Sequence, residues 1–141
     1  MHIERLTGIN EKTVESFSRL ILQLVGRDDF LSLEELENII KSDNTHLLVA
    51  IEEDEILGSL AVAMYHIPTG KKAIIEDVVV DAKARGKGVA SKLMQRAIET
   101  ARENGARKIE LTSNPTRVAA NNLYVKLGFK VRDTNFYRLD L

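Results

Sequence analysis

The feature that most constrains this chain is an apolar segment that runs directly into a glycine-containing turn and then into a helix. Residues 74–80 are rich in Ile and Val, as in a buried strand, and residues 85–91 are Arg-Gly-Lys-Gly-Val-Ala-Ser. Glycines let backbone N–H groups approach a ligand closely, and the first turn of a helix has free N–H groups and the positive end of its dipole. Arg85 and Lys87 add positive charge. The pattern predicts a site for phosphate or pyrophosphate.

Two common phosphate-binding loops fit this segment poorly. A Walker loop needs Gly, four residues and then Gly-Lys-Ser/Thr, and the chain has no such run. A dinucleotide fingerprint, G-x-G-x-x-G, needs a third glycine where Ser91 stands, and an acidic residue at the end of the next strand. That strand ends Leu-Thr-Ser-Asn at 111–114. A protein that binds NAD or ATP is therefore kept only as a rival hypothesis.

The composition is that of a globular chain with no bulk charge. The 141 residues are 44% apolar, with a net charge of −1, which predicts a single domain over residues 1–141 and no nucleic-acid partner. We expect no membrane partner and a cytoplasmic location, because the apolar runs are short, the N-terminus lacks a signal-peptide core and cysteine is absent. The three histidines are far apart, so we expect no metal site.

Hydrophobic periodicity predicts an antiparallel meander followed by a strand–helix–strand–helix unit. Asn10 and Ser32 are expected to cap the first two helices, Asn114 and Pro115 to begin the last, and Gly58 to mark a bulge. The predicted helices are 10–25, 32–41, 89–103 and 114–127, and the predicted strands are 2–6, 46–52, 56–66, 73–81, 108–112, 129–131 and 135–141. The fold class is α/β, with a mixed sheet.

Two motifs together identify a family resemblance. Arg85-Gly86-Lys87-Gly88-Val89-Ala90 matches the pattern Gln/Arg-x-x-Gly-x-Gly/Ala after an apolar strand, and residues 123–129 match Leu-Tyr-x-x-x-Gly-Phe. The chain thus resembles the GCN5-related N-acetyltransferases (GNAT), specifically from about residue 74 to 132. The resemblance implies a mostly antiparallel sheet with one splayed parallel pair, 73–81 and 108–112, about four flanking helices, and acetyl-CoA as the cofactor.

The resemblance also implies which residues bind the coenzyme. The Ser91 hydroxyl would lie near the pyrophosphate and Arg85 would add charge, while the backbone of Val78 and Val80 would run beside the pantetheine arm. Asn121 could bond that arm or be a half-exposed helix residue. The backbone N–H groups expected to hold the pyrophosphate are those of Gly86, Lys87, Gly88, Val89 and Ala90. On their own, without the charges of Arg85 and Lys87, the preceding strand and the second motif, the two loop glycines would indicate no more than a tight turn.

For catalysis, the resemblance assigns Tyr124 as the general acid that protonates the departing thiolate. A phenol titrates near 10 and a thiol near 8–9, so this transfer is chemically reasonable, although Tyr124 also fits a packed core position. The base that deprotonates the amine is open among Glu110, Glu76 and Asp77. Some relatives carry a glutamate in the strand of Glu110. Strand alternation would place Glu76 on the same face as Val78 and Asp77 on the other.

These features predict an acetyl-CoA-dependent N-acyltransferase whose acceptor is a primary amine of a small molecule or a peptide, attacking directly in a ternary complex. The alternative is a CoA-binding sensor or assembly module without catalysis. Asp28 and Asp29, between the first two helices, could attract a cationic amine or lie in a solvated turn. Arg117 could bind phosphate or substrate, or lie on the surface. Strand 135–141 would form a sheet edge that is compatible with a homodimer.

Overall fold

A computed structural model describes residues 1–27 and 31–141, and within these ranges the chain folds into helices packed on a five-stranded sheet. A 3₁₀ turn at Ala82–Ala84 precedes the third helix. The elements in chain order are β1 (His2–Arg5), α1 (Glu11–Val25), α2 (Leu33–Lys41), β2 (Thr45–Glu52), β3 (Glu55–Ile67), β4 (Gly70–Val80), α3 (Val89–Glu103), β5 (Lys108–Glu110) and α4 (Val118–Lys126). Asp28 and Asp29 lie outside the described residues.

The sheet has the order β1-β2-β3-β4-β5, and each strand pairs with its neighbour in sequence. The first three pairings are antiparallel. Short turns connect β2 to β3 and β3 to β4, whereas α1 and α2 lie between β1 and β2. The β4–β5 pair is parallel, because α3 crosses between these strands. A mostly antiparallel sheet with one parallel pair and helices on both faces confirms the predicted fold class.

Two apolar clusters, one on each face, hold the helices to the sheet. Leu20 of α1 and Leu36 of α2 are buried on one face, and Leu93 and Met94 of α3 on the other. Each such side chain stabilises the fold by about 1.5–3 kcal/mol relative to exposure. Gly58 permits the close approach of α3, since a Cβ there would stand 3.0 Å from a strand carbonyl oxygen and 3.1 Å from a side chain of α3. The predicted irregularity at Gly58 is confirmed by a register shift beside it.

The N-terminal ends of the first two helices follow the sequence prediction. Asn10 Oδ1 accepts from the Thr13 N–H at 3.0 Å, and Thr13 Oγ1 accepts in return from the Asn10 N–H at 3.4 Å. The sequence suggested no full capping box, because threonine stands where glutamate is usual, yet the reciprocal bonds form. Ser32 accepts from the Glu35 N–H at 3.2 Å. Such caps contribute about 1 kcal/mol each.

A bulge in β4 changes the predicted orientation of its carboxylates. Ser59 pairs with Val79 but Ala61 pairs with Glu76, so β4 contains one extra residue at this point, and Asp77 adopts a left-handed backbone with φ of +52°. The extra residue reverses the alternation of faces. Glu76 therefore lies on the α1/α2 face with Ala61, and the prediction that Glu76 shares a face with Val78 and Val80 was wrong.

The start of the last helix also differs from the prediction. Asn114 does not cap α4; its Oδ1 accepts from the Thr116 N–H at 2.9 Å and closes a separate turn, and α4 begins only at Val118. A side-chain bond two residues along the chain competes with capping a helix, which is why Asn-Pro marks a turn here. Strand β5 ends at Glu110, two residues short of the expected Thr112.

The two closing strands predicted over 129–131 and 135–141 do not form. Residues 130–141 make no backbone hydrogen bond to any other described residue and belong to no strand. A strand exists only through its partner, and an alternating sequence cannot supply one. The last backbone bond before this segment joins the Phe129 N–H to the Tyr124 oxygen at 3.0 Å.

Candidate active site

A groove of about 600 Å³ opens where the bulged strand, the glycine loop and the last helix meet. Its walls come from β4, the start of α3, α4 and the C-terminal end of α1. It contains nine of the predicted site residues, namely Val78, Val80, Arg85, Gly86, Gly88, Val89, Ala90, Ser91 and Tyr124. The structure thus brings together, in one groove, residues from both motifs.

The glycine loop presents a row of unpaired donors to this groove. Gly86 and Gly88 adopt φ of +78° and +77°, and a Cβ at either position would meet nothing within 4 Å. No backbone N–H from Gly86 to Ser91 donates to an acceptor in the described part of the chain, and bonding resumes at the Lys92 N–H, which donates to the Gly88 oxygen at 3.1 Å. Consecutive N–H groups at a helix N-terminus form an anion site, so these residues fit a pyrophosphate.

A network of side chains from α1 holds the base of the loop. The Arg19 Nε donates to Asp81 Oδ2 at 2.8 Å, and the Ala82 N–H donates to Gln23 Oε1 at 2.8 Å. Burial opposes ionisation of Asp81, but the bonds from Arg19, the Lys83 N–H and Gln23 outweigh it and hold its pKa below the ordinary value. Sequence reasoning missed this network, because its members are separated by about sixty residues and share no motif.

Tyr124 is the one fully buried residue of α4 and lines the groove. Its ring packs edge-on against Phe129, with centroids 6.2 Å apart. Burial raises the pKa of its phenol, and the charge of Arg117 partly opposes this rise. The hydroxyl is therefore protonated at neutral pH and can donate a hydrogen bond. Tyr124 thus occupies a packed core position that also borders the groove.

Arg117, which the sequence left unassigned, also lines the groove. Its Nη2 donates to the Val78 carbonyl oxygen at 3.4 Å, which brings the guanidinium to the edge of β4. The residue immediately precedes α4, and no sequence signal other than its charge pointed to this position. Its cation faces the same space as the Tyr124 phenol.

Two predicted coenzyme residues lie outside the lining of the groove. Lys87 stands between the two loop glycines as an exposed side chain. The Asn121 Nδ2 donates to the carbonyl oxygens of Arg117 at 2.8 Å and Asn114 at 3.0 Å, so it stabilises the turn before α4. The structure therefore favours a structural role for Asn121 over a bond to the pantetheine arm.

The carboxylate candidates for the base differ in their surroundings. Glu110 is ion-paired with Lys72 at 2.8 Å and does not line the groove. Glu76 lies at the bulge and has its pKa raised, first by partial burial and then by the charge of Asp77. Both Glu76 and Asp77 are exposed, and neither lines the groove.

The parallel strands diverge next to the groove, as predicted. Pairing of β4 with β5 is limited to residues 72–74 against 108–110, so residues 75–80 have no β5 partner. The bulge lies in this unpaired stretch. Backbone groups that lack a sheet partner are available to a ligand that enters the groove.

A mixed sheet with one short parallel pair, a bulged strand and a loop of unpaired N–H groups at one groove is the architecture that the sequence resemblance implied. The chain belongs to the Acetyltransferase (GNAT) family, whose sequence model matches residues 12–129. The match covers both motifs and all four helices except the first residue of α1.

Curated relatives and a solved structure support this assignment. The chain is 35% identical over 89 residues to glucosamine 6-phosphate N-acetyltransferase 1 of Oryza sativa subsp. japonica, covering 58% of this chain and 52% of the relative. It is 32% identical over 89 residues to the aminoalkylphosphonate N-acetyltransferase of Salmonella typhimurium (strain LT2), covering 62% and 58%. The chain thus spans about half the length of these relatives. A solved structure of a transcriptional regulator from Bacillus halodurans C-125 superposes with a TM-score of 0.84 at 29% identity, over 99% of both chains.

Within the described ranges, no helix has the length and apolar character needed to cross a bilayer. The same ranges contain no cluster of three histidine, cysteine or acidic side chains suited to a metal ion.

Proposed function

We propose that this protein is an N-acetyltransferase that moves an acetyl group from acetyl-CoA to a primary amine by direct attack in a ternary complex. The observation that carries the proposal is the row of unpaired N–H groups from Gly86 to Ser91 at the start of α3. Their number and their position at a helix N-terminus suit a pyrophosphate. Family membership supports the same activity.

The residues of the groove divide the binding task between them. The loop N–H groups and the Arg85 side chain would hold the pyrophosphate of the coenzyme. The unpaired edge of β4 at Val78 and Val80 would align the extended pantetheine arm, because backbone amides there lack a β5 partner. When bound, acetyl-CoA supplies an activated thioester carbonyl. The bulge would direct a backbone N–H of β4 toward that carbonyl oxygen and polarise it.

Proton transfer is assigned to Tyr124 and a carboxylate. The Tyr124 phenol, kept protonated by its raised pKa, would donate its proton to the thiolate as it leaves. The amine must lose a proton, and Glu76 is the better candidate to receive it, because Lys72 holds the carboxylate of Glu110. The raised pKa of Glu76 makes it a stronger base than an ordinary glutamate. A water molecule could relay the proton from the amine to Glu76.

The acceptor is proposed to be a small-molecule amine or a peptide amine. The two curated relatives bear names that give glucosamine 6-phosphate and aminoalkylphosphonate as acceptors. Amines that carry a phosphate or phosphonate group are therefore the first substrates to examine, followed by peptide N-termini and lysine.

A second candidate function is a CoA-binding regulator without catalysis. It is favoured by the likeness to a solved structure described as a transcriptional regulator, at 29% identity over almost the whole chain. Such a protein would use the same groove for binding and would show no turnover with any amine.

The test is thermal unfolding in parallel with acetyl-CoA, CoA, NAD and ATP, followed by a thiol-release assay with the amine panel. A ligand present at one hundred times its dissociation constant should stabilise the fold by about 2.7 kcal/mol. We expect a shift with acetyl-CoA and CoA alone, and thiol release that depends on an amine. Stabilisation without thiol release for any amine would favour the regulator. A shift with NAD or ATP, or no shift at all, would remove the assignment of the loop.

A further inference from the structure

The C-terminal segment 131–141 (the tail) contains five apolar side chains that are exposed. Its large side chains are exposed to an extent that is unusual for a folded chain: Val131 92%, Phe136 69%, Tyr137 84%, Leu139 83% and Leu141 116%. Monomeric proteins rarely expose more than a few hundred Å² of contiguous apolar surface. From Tyr137 onward the apolar residues alternate with Arg138 and Asp140, the period of a strand with one buried face. This segment has the pattern of a strand without a partner.

The free edge of β5 is the place in the sheet where such a strand could pair. Strand β5 forms the last strand of the sheet and pairs on one side only, with β4. The apolar layer beside it is incomplete, since Ile109, Leu111, Leu123 and Leu127 pack against the core yet remain half-exposed. The free edge of β5 has unpaired backbone groups beside a partly exposed apolar layer, so another strand can pair with it.

The charges of the two segments are complementary in one direction only. Strand β5 has the sequence Lys108-Ile109-Glu110, and the tail has Arg138-Leu139-Asp140. Antiparallel pairing of Ile109 with Leu139 would place Lys108 opposite Asp140 and Glu110 opposite Arg138, whereas parallel pairing would place like charges together. The same register would place Tyr137 opposite Leu111, on the face where the apolar layer is incomplete.

In this chain the tail does not occupy its own edge. Residues 130–141 make no backbone hydrogen bond to β5 or to any other described element. We propose that the tail of a second copy of this chain adds antiparallel to β5, in the register Ile109 with Leu139, and that the two copies exchange tails reciprocally. Each chain supplies one free β5 edge and one tail, so two copies related by a two-fold axis can each bind the tail of the other.

The apolar area is sufficient for a stable dimer. Four exchanged aromatic rings alone would bury roughly 600–800 Å², at about 150–200 Å² each. The aliphatic side chains of both tails and the half-exposed layer beside β5 add to this. The sum reaches the range of about 1,200–2,000 Å² that is typical of specific interfaces.

The first test is the mass of the protein in solution by light scattering. We expect twice the chain mass of 15.8 kDa for the full chain. Leu139→Asp should convert it to a folded monomer, as judged by circular dichroism, whereas Asp140→Asn, on the opposite face of the same strand, should leave the dimer intact. A monomeric full chain at every concentration, or a dimer insensitive to Leu139→Asp, would overturn the proposal.

The second test separates exchange between chains from pairing within one chain. The natural sequence has no cysteine, so Lys108→Cys combined with Asp140→Cys introduces the only two thiols. Exchange predicts a disulfide-linked dimer after oxidation of a dilute sample, seen on a non-reducing gel. An internally linked monomer would show that each chain pairs with its own tail. The matched control combines Lys108→Cys with Arg138→Cys, which lies two residues out of the proposed register and should crosslink far less. No crosslink in either pair would also contradict the proposed register.

Discussion

At the residue scale, Tyr124 shows how one side chain can serve both the core and the groove. Its ring is buried against Phe129, while its hydroxyl lies among residues that line the groove. The motif located this residue and the structure adds its surroundings, including the cation of Arg117. The charge of Arg117 was visible in the sequence, but its position beside the phenol depends on the turn before α4.

Replacement of Tyr124 by Phe removes only the hydroxyl, so the packing with Phe129 should persist. General acid catalysis typically contributes 10²–10⁴-fold, and a thiolate is a fair leaving group, so we expect kcat to fall by about 10²-fold with CoA affinity unchanged. Steady-state kinetics and calorimetric binding of CoA would measure the two effects. Tyr65→Phe, on β3 away from the groove, is the control and should retain full activity. Unaltered kcat in Tyr124→Phe would remove the acid role.

At the element scale, the strand–loop–helix unit was predictable because its signals are local. Glycines at 86 and 88, the apolar run before them and the stripe of α3 each depend on neighbours in sequence. The position of the bulge in β4 could not be read from the sequence, because it depends on pairing with β3. Its extra residue reversed the predicted face of Glu76. The length of β5 and the absence of strands after α4 likewise depend on which segments pair with one another, and this pairing is not local in sequence.

The loop offers a controlled test of the coenzyme site. Gly88→Ala forces an alanine into φ of +77°, at a cost of about 1–2 kcal/mol, and places a methyl group at the row of unpaired N–H groups. Gly105→Ala is a matched control, with φ of +78° and open space around its Cβ, but it follows the opposite end of α3. We expect similar falls in unfolding temperature for both variants, and a loss of CoA affinity of at least tenfold for Gly88→Ala alone. Equal CoA affinities would contradict the site.

At the scale of the whole molecule, Arg19 and Asp81 connect α1 to the end of the sheet. The Asp81 side chain is 5% exposed, and its partner Arg19 is 37% exposed. Asp81→Asn should lower the free energy of unfolding by about 1–3 kcal/mol, the range for a buried group that loses a charged partner. Urea titration at pH 7 would measure this loss. Glu55→Gln, which removes an exposed partner of Arg19, should change stability far less.

The same pair predicts a dependence of stability on pH. The pKa of Asp81 is lower in the folded state than its ordinary value of 3.8, so its contribution is complete above that value and is lost as the pH falls through the folded-state pKa. The stabilities of the natural chain and of Asp81→Asn should therefore begin to converge as the pH falls below about 4. A difference between them at pH 3 as large as that at pH 7 would show that the lost stability does not come from this charge.

The sequence by itself determined the family, the caps of the first two helices and the glycine loop before α3, because these depend on residue types at short spacing. Only the tertiary structure decided which residues line the groove, which face Glu76 occupies and whether the last residues form strands. Each of these depends on contact between segments that are far apart in sequence, such as Arg19 with Asp81 or β3 with β4. Which strand another strand pairs with, and which charges surround a side chain, depend on those long-range contacts. A local sequence pattern therefore does not predict them.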